Sequence, residues 1–173
     1  MYPAHFLLVC AMNPCPCGFY PDRNRCRCSE NDIRRYLGRI SGPILDRIDM
    51  VTEAPKVEFE QLRGDGSSES SASMREKIAV ARAMQKKRFQ GTRLTFNSEM
   101  KPHHLKKYCM LGSQEEACAK DLFTSMDLSA RGYHRLLRVA RTIADLEGSE
   151  NIGRPHLLEA AMYRRANETY WTK

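Results

Sequence analysis

His5-Phe6-Leu7-Leu8-Val9-Cys10-Ala11-Met12-Asn13-Pro14-Cys15-Pro16-Cys17-Gly18 is the stretch on which the reading of the whole chain turns. Residues 5–12 are apolar with almost no alternation, the pattern of a strand covered on both faces. Pro14 and Pro16 bar helix and interior strand, so residues 13–18 form a loop. The apolar run thus ends on a polar amide, Asn13, at the mouth of that loop. A buried strand that delivers a side chain to a crevice at its carboxyl end is a common way to build an α/β ligand site.

The same loop opens a second pattern. Cys15-x-Cys17 is followed, eight residues later, by Cys26-x-Cys28. Four thiolates at this spacing can hold one tetrahedral Zn²⁺, with residues 13–28 as a knuckle. Unliganded thiols and disulfides are the alternatives, and Cys-x-Cys is a less common clip than Cys-x₂-Cys. The other three cysteines, Cys10, Cys109 and Cys118, are scattered. A secreted disulfide framework spreads its cysteines more evenly, so a reduced, cytoplasmic protein with one metal site fits better. No histidine or acid lies suitably close for an open catalytic site, which makes the ion structural. Arg23, Arg25 and Arg27 alternate through the knuckle without an intervening acid. They read equally as a DNA-facing hairpin or as solvated decoration.

Composition sets the outer bounds. With 173 residues, 42% hydrophobic and 28% charged, the chain can build one globular domain or two small ones. No apolar run approaches the roughly 18–20 residues that span a bilayer, and a signal peptide is not expected. The net charge of +7 is uneven. Between Met74 and Lys107, ten Lys/Arg stand against Glu76 and Glu99, a local balance of +8. That suggests a polyanion, either nucleotide phosphates or nucleic acid, although a solvated helix face has the same composition.

Ser29 and Asp32 predict a helix start, with the helix running to about Ile40 and stopped by Ser41-Gly42-Pro43. Pro43 opens a short turn of helix from Ile44 to Arg47. A second buried strand is expected from Ile48 to about Ala54, ended by Pro55. Residues 63–73, rich in Gly and Ser, read as a linker. Beyond it the period becomes helical. Ser73 with Glu76 and Ser113 with Glu116 look like capping boxes, and Pro102 suits a first turn. Ser129 caps the strongest helix, in which Tyr133, Leu136, Leu137, Ala140, Ile143 and Ala144 form one apolar stripe ended by Gly148. Pro155 opens the last helix, with Leu157, Leu158, Ala161 and Met162 expected inward. His103 and His104 read as surface residues. Two isolated buried strands need neighbours, which should precede residue 1.

Residues Ala11 to Gly18, Cys26-Arg27-Cys28 and Tyr36 to Asp49 (YLGRISGPILDRID) resemble the magnesium-chelatase-like AAA+ family, in its ComM/YifB competence-protein branch. Ser129 to Asp145 (SARGYHRLLRVARTIAD) and Ile152 to Arg164 resemble the C-terminal helical domain of that family. The resemblance implies a mostly α-helical α/β chain: the C-terminal part of a P-loop core over residues 1–62, two parallel strands with short helices and the knuckle, then the linker, then a helical lid over residues 74–173. It implies Asn13 as the sensor that orients water or bonds the γ-phosphate, and Arg47 as an arginine finger reaching a neighbouring subunit's nucleotide. Arg131 matches the lid arginine that touches the γ-phosphate, and its place in a helix first turn, where the dipole disfavours a cation, suits a functional residue. For Arg47 a salt bridge to Asp46 or Asp49 is the simpler reading, and for Arg131 a solvated surface position.

The family further implies ATP and Mg²⁺ as cofactors, a homo-oligomeric, usually hexameric ring, and ATP-driven branch migration on DNA. No membrane association is expected. The GxxxxGK[ST] loop and a strand ending in paired acids are not in the sequence, so the chain alone should not hydrolyse ATP. A chelatase motor inserting Mg²⁺ into a porphyrin is one competing expectation. A stand-alone zinc-stabilised nucleic-acid-binding module is another.

Overall fold

The computed structural model describes residues 6–54, 56, 57, 59 and 69–171. Among these, the regular elements are helical. They are α1 (Glu30–Leu37), α2 (Gly42–Leu45), α3 (Ser71–Arg88), a 3₁₀ turn (Asn97–Glu99), α4 (Pro102–Tyr108), α5 (Ser113–Ser125), α6 (Ala130–Leu146) and α7 (Arg154–Trp171). The chain divides into two compact units, residues 1–45 with 167–173, and residues 46–166.

The first unit is small. Ser29 caps α1 by accepting from the Asp32 backbone N–H, and the Asp32 carboxylate accepts from the Ser29 N–H in return. The helix start expected at Ser29 and Asp32 is therefore formed, and it takes the shape of a capping box. Ile33 and Leu37 turn inward against Cys15, with Tyr20, Tyr36 and Trp171 packed around them. Trp171 also donates its indole N–H to the Leu37 carbonyl at 3.0 Å.

The second unit is built on α6. Ser129 accepts from the Gly132 N–H at 2.9 Å, closing the helix N-terminus as the sequence predicts. Leu136, Leu137, Ala140, Ile143 and Ala144 are buried and Tyr133 is half-buried, so the apolar stripe faces the core. Helices α3 and α4 and the 3₁₀ turn pack against it. Gly148 ends the helix region with φ +72°, a conformation that glycine adopts without strain.

Four expectations are corrected. The strands expected at His5–Met12 and Ile48–Ala54 are not formed among the described residues. Leu7 and Val9 are 88% and 81% exposed, and among the described residues no backbone ladder engages positions 6–12. A strand exists only with a partner for its N–H and C=O groups, and an apolar pattern does not supply one. In the second segment the Val51 N–H goes instead to the Tyr163 carbonyl of α7, at 2.8 Å.

Helix α3 starts before the expected Ser73. Ser70 is its cap, and Glu69 binds Lys77 at 2.7 Å and the Ser73 hydroxyl at 2.8 Å, anchoring an extra turn. The linker expected at 63–73 therefore ends inside a helix, while residues 63–68 lie outside the described residues. Ser113 is the first residue of α5 rather than its cap, a place taken by Gly112. On α7, Leu157, Ala160, Ala161 and Arg164 are buried, whereas Leu158 and Met162 face outward. That inward face runs i, i+3, i+4, i+7, and positions 158 and 162 lie about 100° around the helix from it.

Candidate metal centre and arginine clasp

Within the first unit the two Cys-x-Cys pairs converge. The sulfurs of Cys15, Cys17, Cys26 and Cys28 all lie within 4.8 Å of one another. Cys15 Sγ is 3.4 Å from Cys17 Sγ and 3.8 Å from Cys26 Sγ, and Cys17 and Cys26 are 3.6 Å apart. A Zn–S bond of about 2.3 Å places the sulfurs of a tetrahedral site about 3.8 Å apart. The donor set is thus the right size and softness for such an ion. None of the seven cysteines is disulfide-bonded.

Local turns build this cluster. The Gly18 N–H donates to the Cys15 carbonyl at 3.0 Å, reversing the chain after the first pair, and φ +83° at Gly18 requires glycine. The Cys26 N–H donates to the Asp22 carbonyl at 2.8 Å, turning the chain before the second. Backbone N–H groups point at the sulfurs. The N–H of Phe19, against the cost of burial, draws the Cys17 thiol down to about 6, helped by the Arg27 N–H and the neighbouring thiols. Burial opposes ionisation of Cys15, yet the Tyr20 N–H, 3.5 Å from its sulfur, holds it below the ordinary value. Burial raises Cys26. The Cys17 backbone lowers Cys28, but burial and the other sulfurs outweigh it and push that thiol up to about 12. The four thiols are coupled in this way, and a dication held by Cys15, Cys17, Cys26 and Cys28 would favour the thiolate form of all four.

The knuckle arginines are exposed and partly engaged. Arg23 pairs with Glu30 and lies 5.0 Å from the Tyr20 ring centre. Arg25 stacks on Phe19 at 4.1 Å. Arg27 is exposed along the same strip. Asn13, also exposed, sits beside the Gly18 turn. A Cβ at Gly18 would lie 3.6 Å from its amide nitrogen.

Arg47 and Arg131 belong to the second unit, where a clasp brings their neighbourhood together. Asp46 faces Arg131 and Arg164, each at 3.7 Å, and accepts the Ser129 hydroxyl at 3.4 Å. Arg135 donates to the Arg47 carbonyl and, at 2.9 Å, to the Asp49 carboxylate. The sequence names Arg47 and Arg131, with Asp46 or Asp49 as an ion-pair partner of Arg47, but it does not show that Asp46 faces Arg131 and Arg164 or that Asp49 is bound by Arg135. An arginine every third or fourth position on α6 is the signal that was available. Arg135, Arg138 and Arg141 share a helix whose apolar stripe should bury their stems.

His103 is exposed as expected. His104 accepts the Lys101 N–H at 3.0 Å, and burial together with nearby cations lowers its pKa. No described helix is long and apolar enough to cross a membrane.

Residues 1–62 match the family model described as magnesium chelatase, subunit ChlI, and residues 68–164 match that described as magnesium chelatase, subunit ChlI C-terminal. The chain is 40% identical to the competence protein ComM of Haemophilus influenzae over 164 residues, 94% of this chain and 31% of the relative. The uncharacterized protein YifB of Salmonella typhimurium gives the same identity and coverage. An uncharacterized protein of Mycobacterium bovis is 36% identical over 171 residues, 95% of this chain and 32% of that one. The chain therefore spans about a third of the length of the curated relatives it matches.

Proposed function

Because this chain belongs to the magnesium chelatase ChlI family, we propose that it is the C-terminal portion of an ATP-driven AAA+ motor acting on DNA, of the competence-protein kind. The observation that carries this reading is the 40% identity to a competence protein, sustained over 94% of the chain and so across both matched segments. The phosphate-binding loop and the Mg²⁺ ligands of such a motor lie outside these 173 residues. The protein works as a homo-oligomeric ring, a hexamer, in the cytoplasm.

ATP–Mg²⁺, when bound, supplies the phosphoryl group whose transfer drives the motor. Asn13, at the head of the knuckle, takes the first sensing position and orients water or a phosphate oxygen. Arg47 is the arginine that reaches a neighbour's nucleotide and stabilises negative charge there. Arg131 is the second sensor. The amino end of α6 repels its cation, its partner Asp46 is 3.7 Å away, and its side chain is 58% exposed, so an incoming phosphate is the stronger partner.

Cys15, Cys17, Cys26 and Cys28 hold a structural Zn²⁺ that fixes the knuckle and the Asn13 turn. Arg23, Arg25 and Arg27 present guanidinium groups to DNA. The exposed Phe19–Arg25 stack offers a flat surface to a base.

A magnesium-inserting chelatase motor is the second reading, favoured by the descriptions of both family models. The thiol knuckle and the basic stretch 74–107 favour DNA. A stand-alone zinc module would bind DNA with no response to nucleotide. Binding of forked DNA by the assembled ring, measured against salt with and without ATP, separates the three. A DNA motor shows a steep, nucleotide-dependent salt slope. A chelatase shows none, and a module shows a slope that ignores ATP.

A further inference from the structure

The segment Asp46–Val51 is gripped at both ends. Asp46 is held by Ser129, Arg131 and Arg164, and the Val51 N–H by the Tyr163 carbonyl. Between them stands one contact that none of the roles above uses. Arg135 spends one nitrogen, Nη1, on both the Arg47 carbonyl and the Asp49 carboxylate. Its side chain is only 13% exposed, and its Nε is buried with no hydrogen-bond partner among the described residues. Burying a guanidinium and leaving one donor unsatisfied is costly, so this arginine is held against its solvation preference.

What it holds is the peptide from which an exposed arginine projects. Fixing the Arg47 carbonyl fixes the rotation of the backbone at that residue, and with it the direction in which the side chain leaves. Asp49, bound by the same nitrogen, fixes the position two residues on. Arg131 and Arg135 are one helical turn apart and therefore share a face of α6. That face contacts Asp46, Arg47 and Asp49 in turn.

We propose that Arg135 is a positioning residue for Arg47, aiming its guanidinium by clamping the 47–49 backbone to α6. This rests on the reading of Arg47 as the arginine that serves a neighbouring nucleotide. Arg135 touches no substrate itself. A finger displaced by about 1 Å loses transition-state contact while ground-state binding of nucleotide persists.

The test is steady-state ATP hydrolysis by the full-length assembled protein carrying Arg135→Met, Arg135→Lys, Arg47→Ala, or Arg47→Ala with Arg135→Met. Arg135→Met is expected to lower kcat about tenfold or more, with KM for ATP within about twofold. Both acceptors are served by one nitrogen, so Arg135→Lys should recover kcat to within about threefold of the parent. The double variant should be no slower than Arg47→Ala, because Arg135 acts only through Arg47. Should Arg135→Met fail to assemble, Arg135→Gln, polar but too short to reach, takes its place under the same criteria. An unchanged kcat, a change confined to KM, no recovery with lysine, or a fully additive double variant overturns the proposal. An Arg47→Ala enzyme with parental kcat overturns the reading of Arg47 and this proposal with it. That result is visible in its own arm, whereas a slow Arg47→Ala enzyme beside a normal Arg135→Met enzyme overturns the positioning role alone.

Discussion

Arg88 and Asp145, separated by 57 residues of chain, are joined by two hydrogen bonds through the interior of the helical unit. Asp145 is fully buried and Arg88 nearly so, and Asp145 also accepts from Arg141 at 3.1 Å and from the Asn97 amide at 2.8 Å. The pair ties the end of α3 to the end of α6, with the 3₁₀ turn between them. Removing the carboxylate takes the anionic partner from the buried Arg141 and from Arg88, whose side chain is 12% exposed. Asp145→Ala should cost about 3–5 kcal/mol of stability, read as a fall in the urea midpoint. A loss below about 1 kcal/mol would show that the network is relaxed by solvent.

Thiol counting tests the metal centre. With metal bound, the four cluster cysteines should resist modification, and a strong chelator should expose four more thiols out of the seven in the chain. Acid should act like the chelator, because protons compete for the thiolates, so metal is retained near neutrality and released as pH falls. Fewer than about four newly exposed thiols would contradict a tetrathiolate site.

Cys109 supplies an internal contrast. Burial pushes its thiol up to about 12 from an ordinary 9.0. A raised thiol pKa favours the fold at and below the ordinary value, and that contribution is lost as pH rises from 9 toward 12. Cys109 should therefore resist iodoacetamide at pH 9 in the folded chain, and stability should decline above that pH. Rapid labelling at pH 9 with the helices intact would refute the assignment.

The single tryptophan reports on the first unit. Trp171 packs with Ile33, Leu37 and the cysteine cluster, and its indole bonds the Leu37 carbonyl. Chelation should shift its emission to the red while the far-ultraviolet circular dichroism of the larger helical unit changes little. A coincident loss of both signals would mean that the two units unfold together.

Ser129 holds both a cap and the clasp. Its hydroxyl oxygen accepts from the Gly132 N–H, and the hydroxyl donates to Asp46. Ser129→Ala should cost about 0.5–2 kcal/mol, and Ser129→Gly less, when thermal unfolding of each is compared with the parent. Equal costs would place the effect in the lost hydrogen bond to Asp46 and not in the cap.

Legibility followed the range of each interaction. The α1 start at Ser29 and the α6 stripe depend on residues within a few turns, and both were readable. The thiol cluster was readable because eight intervening residues leave two pairs little choice but to meet. The Asp46 clasp was not, because ion pairs between residues 46 and 131 or 164 carry no periodic signature. The apolar runs at 5–12 and 48–54 state that a surface needs covering, but not what covers it. Helix α3 begins at one of several equivalent serines, and only the Glu69 contacts choose between them. On α7 the apolar residues fit two phases, and burial in the shared core selected the one containing Ala160 and Arg164.

ATP hydrolysis by the full-length assembled protein, measured with and without branched DNA at two salt concentrations, bears most directly on the proposal of a DNA motor. Stimulation by DNA that weakens steeply with salt, and a loss of about 10³-fold or more in Arg47→Ala, are the results expected. Hydrolysis indifferent to DNA and unaltered by Arg47→Ala would contradict it.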